Sequence, residues 1–208
     1  MPAANDILDG LQAIANGWPA LAALWHVYFG VLAGALLCGY RPSQRLAGIL
    51  AALPLVSVSV LGFAAANAFN GTVFALLAST ALLLAARMPG QRVRIAPWPW
   101  RAAGVPMFAF GWLYPHFLAV QSFVDYGYLA PTGLVPCPTL AIIVGVTLLL
   151  GGLGTAAWSG LFAASGLFYG TFGAMRLGVS MDWLLSLGSL CLLGLLAARE
   201  FRRRRSGT

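Results

Sequence analysis

The sequence predicts an all-α fold, a polytopic bundle of seven transmembrane spans with its N-terminus outside and its C-terminus inside. Three observations carry this expectation. Hydrophobic residues make up 60% of the 208 and charged residues only 8%, a balance foreign to soluble domains. The apolar residues come in runs long enough for a bilayer, which takes about 20 residues per helix. All the basic residues are arginines, and all but Arg176 fall in alternate gaps between those runs. Arg41 and Arg45 follow the first run, Arg87, Arg92, Arg94 and Arg101 crowd one later loop, and Arg199 with Arg202, Arg203, Arg204 and Arg205 form the tail. Cytoplasmic loops retain arginine, so the alternation sets both span count and orientation. Asp6, Asp9, Asp125 and Asp182 fall in the other gaps.

The elements follow in chain order. Residues 1–17 are an outer segment in which 5–16, with Ile7, Leu8, Leu11 and Ile14 beside Asp6 and Asp9, read as an amphipathic surface helix. Asn16-Gly17-Trp18-Pro19 ends it, and Pro19 suits the first turn of a span over about 18–40. The second span, about 46–66, carries Pro54, which predicts a kink. A turn from Asn67 to Gly71 leads into the third, about 72–86. The arginine-rich loop 87–101 holds Pro97-Trp98-Pro99-Trp100, an interfacial aromatic anchor. The fourth span, about 102–124, contains Pro106 and Pro115, and 125–138 is an outer loop. The fifth runs over about 139–158 and turns at Ser159-Gly160. The sixth, about 161–175, is short enough to call for local thinning or snorkelling. The seventh, about 181–198, ends in the cytoplasmic basic tail 199–208.

Composition also limits function. A net charge of +7 invites a nucleic-acid partner, but the arginines are scattered over loop ends with no basic face interleaved with aromatics. Orientation and anionic headgroups of the lipid bilayer explain them better. The N-terminus lacks a positive region and a small-residue cleavage site, so no signal peptide is expected. The three cysteines make no disulfide framework. There is no C-x-x-C-H, H-E-x-x-H, G-x-S-x-G, Walker A or G-x-G-x-x-G sequence, so enzyme chemistry finds no positive support. Gly30-x-x-x-Gly34 and Gly166-x-x-x-Gly170, extended by Gly173, read as close helix packing.

Polar groups collect towards the outer face. At a helical rise of about 1.5 Å per residue, His26 and His116 both lie roughly 12 Å below it. Asn67, Asn70, Gln121, Asp125, Cys137, Thr139, Arg176 and Asp182 share that half or its rim. Ionisable residues at membrane depth usually face the interior or a cavity, so an outward-facing polar pocket is expected. Each residue also has a structural reading. His26 can donate to a backbone carbonyl, and His116 can bond near the carbonyl that Pro115 frees at Trp112. Arg176 and Asp182 can pair across the last outer loop, or Arg176 can orient an anionic group. Pro138 suits the first helical position, making Cys137 the capping residue, where the helix dipole favours thiolate. His26, His116 and Cys137 together would suit copper or zinc, and the two histidines alone a haem.

At these residues the chain resembles an uncharacterised bacterial integral-membrane family, domain-of-unknown-function family 6064. The elements carrying the resemblance are Asn16-Gly17-Trp18-Pro19, Asn67 to Gly71, Tyr114-Pro115, the stretch from Gly133 through Pro136-Cys137-Pro138-Thr139, and Gly170 to Asp182 with Arg176-Leu-Gly-Val179. Leu140 stands where family sequences typically have a second Thr. The resemblance implies a multi-helix membrane bundle and supplies no activity, cofactor or substrate. The sequence thus leads to binding or transport of a small solute or metal ion through the outer pocket. Two alternatives stand beside it: a membrane subunit of an electron-transfer assembly with a haem or quinone, and a structural partner of another membrane protein.

Overall fold

The computed structural model describes residues 3–119 and 122–206. Among these the chain is all-α and has no strand, its one extended pairing being a single antiparallel bridge between Ser43 and Arg92. The helices are α1 (Ala4–Gly17), α2 (Pro19–Leu37), α3 (Gln44–Ala64), α4 (Ala68–Ala86), α5 (Trp98–Leu113), α6 (Tyr126–Leu129), α7 (Pro136–Leu149), α8 (Ala156–Arg176) and α9 (Trp183–Ser206). Among the described residues, four segments are long and apolar enough to cross a membrane: Pro19–Leu37, Gln44–Ala64, Ala68–Ala86 and Ser180–Arg202. Local chemistry sets the starts. Pro19 fills the first turn of α2, while Ser43, Asn67 and Thr155 accept backbone N–H bonds at the starts of α3, α4 and α8.

Three antiparallel pairs build the bundle, and glycine lets each pair close. A Cβ on Gly62 of α3 would stand 2.7 Å from the backbone nitrogen of Gly71 in α4. One on Gly111 of α5 would stand 2.6 Å from that of Ile142 in α7. Gly166 and Gly170 of α8 face Ser189 and Ser186 of α9, and Gly173 faces Asp182 in the turn before it, so this glycine stripe packs as its spacing predicts. The centre is α7, whose residues are nearly all buried among α3, α5, α8 and α9. Its 14 residues span roughly 21 Å, less than a hydrocarbon core of about 30 Å. The irregular segment 130–135 leading into it is buried as well, which non-helical backbone tolerates when protein surrounds it. Large apolar side chains also cover the outside: Val31 and Leu37 of α2, Leu76 and Leu83 of α4, and Leu187 and Leu190 of α9 are exposed.

Several boundaries differ from the predicted ones. The span expected over 102–124 stops at Leu113, with Tyr114 at φ −25° and ψ 99°, because Pro115 disfavours helical backbone before it. The span expected over 139–158 stops at Leu149, where Gly151, Gly152 and Gly154 take positive φ. Ser159 and Gly160 consequently lie inside α8 instead of forming a turn, and the short sixth span becomes a helix of 21 residues. The Asn67 to Gly71 turn is the cap and first turn of α4. The last helix continues through the basic tail to Ser206.

One end of the bundle gathers the arginine-bearing connections. Arg45 donates to the carbonyl of Met88, Val93 N–H to Pro42, and Ala96 N–H to Leu149. The opposite end holds α1, residues 114–119 and 122–135, and the turn into α9.

Candidate functional site

The centre of that opposite end is a buried carboxylate. Asp182, 1% exposed, sits in the 3-10 turn before α9. The hydroxyl of Tyr114 donates to its Oδ1 at 2.6 Å, and the thiol of Cys137 donates to its Oδ2 at 3.2 Å. Gly173 of α8 lies against the same carboxylate so closely that a Cβ there would overlap it. A further polar pair lies alongside, where Tyr169 of α8 donates its hydroxyl to Oδ1 of Asn70 at 3.1 Å. Among the described residues its side-chain donors are the neutral groups of Tyr114 and Cys137, an arrangement that holds a buried carboxyl group at a cost.

The broken end of α5 lies beside it. Pro115 has no N–H for the carbonyl of Gly111, and the hydroxyl of Thr132 donates there instead. The Trp112 carbonyl is met by His26 Nε2 at 3.0 Å, while His26 Nδ1 lies 2.8 Å from the Ala22 carbonyl. A histidine does serve the Trp112 carbonyl, but it is His26 from α2 and not the neighbouring His116.

His116 belongs to a surface pocket of about 340 Å³. Asn5, Leu8, Asp9 and Gln12 of α1 line it together with His116, Phe117 and Leu118. Asn16 holds this strap from both sides, its Nδ2 donating to the Phe117 carbonyl at 2.8 Å and its Oδ1 accepting from Ala119 N–H at 2.9 Å. Phe117 takes φ 73°, a left-handed conformation unusual for a bulky residue. Its ring stacks on Tyr114 with centroids 6.0 Å apart, so two stacked rings connect the pocket lining to the carboxylate. Burial pushes the His116 pKa down.

The structure does not bring His26, His116 and Cys137 together: among the described residues no three His, Cys, Asp or Glu side chains could hold a metal ion. Both ring nitrogens of His26 face carbonyl oxygens, which leaves neither available to an iron. Cys137 is not the helix cap. Val135 holds that position, Pro136 takes the first turn, and the thiol is committed to Asp182. Arg176 is exposed and forms no ion pair with Asp182, whose oxygens are taken by Tyr114 and Cys137. Asn67 caps α4, and Asp125 accepts from Ser122 N–H and the Tyr128 hydroxyl. That last bond, with the charge of Asp125, raises the Tyr128 pKa. Thr139 accepts from Gly133 N–H, and Gln121 lies outside the described residues. Gly30 packs on Trp112, whereas nothing stands within 4 Å of a Cβ on Gly34.

Sequence reasoning missed Tyr169, Thr132 and Asn16 as members of this site. Tyr169 carried a signal, being an aromatic hydroxyl beside Gly170 in the glycine stripe. Thr132 and Asn16 carried none, because their partners are remote in sequence.

No family model matches the chain, and no curated protein or solved structure matches it. The resemblance to domain-of-unknown-function family 6064 therefore rests on the residues quoted for it.

Proposed function

We propose that the protein is a multi-pass protein of the bacterial inner membrane that binds a small solute at its outer face. In this reading α2, α3, α4, α5, α7, α8 and α9 are the seven crossings. The arginine end lies in the cytoplasm, as the retention of arginine there favours. The solute sits between α1 and the 116–118 strap. Asp9 gives that pocket a negative charge, and Asn5, Gln12 and His116 offer hydrogen bonds, so it suits a small polar or cationic molecule.

The observation that carries the reading is the contact of Phe117 with Tyr114. Phe117 lines the pocket, and the residue it stacks on is the donor to Asp182. A solute that moves the strap changes the hydrogen bonding of the buried carboxylate, which is how occupancy outside reaches a protonatable group inside.

Two experiments test this. For orientation, Cys38 is exposed at the arginine end, so a membrane-impermeant maleimide should label it in inside-out vesicles and not in intact cells lacking their outer membrane. For binding, a panel of small amines, amino acids and cations is screened by thermal shift on wild type and on Asp9→Asn/His116→Ala. A stabilising compound whose effect is lost in the double variant supports the site. Equal shifts in both proteins, or none in either, overturn it.

A further inference from the structure

We infer that the cleft between the second half of α2 and the wall formed by α3, α5 and α7 binds an anionic phospholipid from the leaflet at the arginine end. Its phosphate would lie at Arg41 and Arg101, and an acyl chain along the cleft. The site is separate from the outer pocket and does not depend on what that pocket binds.

The cleft follows from how α2 is held. Its buried residues are Ala22, His26 and Phe29, all in its first three turns. Long side chains bridge it to α3, with Trp25 Nε1 donating to Ser57 Oγ at 3.2 Å and the Tyr28 hydroxyl to the Leu50 carbonyl at 2.9 Å. Beyond Gly30 the helix parts from its neighbours, and Gly34 faces open space. The gap has a volume of about 610 Å³, inside the range of roughly 300–1,000 Å³ typical of ligand sites.

Its chemistry is divided along its length. The trunk is aliphatic and aromatic, with Leu36, Leu50, Val105, Phe108, Val146 and Leu149 among its walls. No carboxylate lines it, and its charged groups are Arg41 and Arg101. Arg41 uses one terminal nitrogen on the Leu36 and Tyr40 carbonyls, which fixes the guanidinium at the cleft. Arg101 stands 5.8 Å from the ring centroid of the exposed Trp98. Tryptophan at the end of an apolar helix marks headgroup depth, so the two cations meet lipid phosphates at the level where these lie. An apolar trunk with a cationic mouth fits an amphiphile with an anionic head. A water-soluble anion leaves the trunk unmatched, and a neutral lipid leaves the arginines unmatched.

The test is native mass spectrometry on delipidated full-length protein, titrated with phosphatidylglycerol or phosphatidylcholine of identical acyl chains. Phosphatidylglycerol should be retained preferentially. Arg41→Ala and Arg101→Ala should each weaken it about fivefold, from about 1 kcal/mol per interfacial arginine, and Arg41→Lys with Arg101→Lys should restore most of the preference. Ala109→Trp, which fills the cleft from an exposed wall position of α5, should reduce retention of both lipids without lowering the melting temperature. Equal retention of the two lipids overturns the proposal, as does retention indifferent to Ala109→Trp. A dimer that Ala109→Trp dissociates would assign the cleft to a second copy and overturn it too.

Discussion

The hydroxyl of Tyr114 reaches Oδ1 of Asp182 across 2.6 Å and ties the broken end of α5 to the start of α9. Removing it with Tyr114→Phe preserves the ring that stacks on Phe117 and leaves a buried carboxylate short of one donor. The loss should be about 1–3 kcal/mol, read as a lower melting temperature in detergent. A double-mutant cycle with Asp182→Asn should show the two changes to be non-additive; strict additivity would separate the residues energetically.

Gly173→Ala places a methyl group against the Asp182 carboxylate. Helix propensity alone favours Ala by about 1 kcal/mol, so destabilisation here would be diagnostic of the close approach. Overpacking of this kind costs about 1–3 kcal/mol. Gly160→Ala, in the same helix with open space around it, should be neutral or stabilising, and equal behaviour of the two would argue against the contact.

Thr132→Val keeps the shape of the side chain but leaves the Gly111 carbonyl without the donor that replaces the N–H missing at Pro115. We expect a loss of about 1–3 kcal/mol. Replacing Pro115 with Ala in the same background should recover part of it, since a backbone N–H then becomes available. Chemical denaturation of the four proteins measures both effects.

Asn16→Ala should free the strap while leaving the helical bundle folded. Ala119 N–H donates to Asn16 Oδ1, so hydrogen exchange at that amide should quicken by about tenfold, equivalent to about 1.4 kcal/mol of local protection. Amides of α7, buried at the centre, should not change.

The pH dependence follows from His116. Burial lowers its pKa in the folded protein, so as pH falls the unfolded chain takes up the proton first. Stability from the neutral imidazole is complete above the ordinary value of about 6.5 and is eroded as pH falls through it, until the folded histidine also protonates. Melting temperatures of wild type and His116→Gln, taken between about pH 8 and about pH 5, should converge or cross on the acid side. A constant gap would show that His116 does not titrate in that window.

Much of the architecture was legible because lipid and water sort residues by composition. The amphipathic α1, the starts of α2 and α3 and the packing of the α8 glycine stripe all follow from local pattern. The errors sit where proline and glycine act. Pro115 ended α5 where the apolar run continued, and three left-handed glycines divided a continuous hydrophobic stretch after Leu149. Hydropathy is blind to both, because an apolar residue reads the same in a helix and in a buried turn.

By itself, the chain determined an all-helical bundle, with every arginine but Arg176 towards one end and the candidate polar groups towards the other. Only tertiary packing decided which of those polar groups meet. Asp182 was paired with Tyr114 and Cys137 instead of Arg176, and His26 with the Trp112 carbonyl instead of a second histidine. The physical reason is that depth along a helix is fixed by residue count, whereas the direction a side chain faces depends on how each helix is rotated against its neighbours. Contacts between helices, with glycine at the closest approaches, set that rotation.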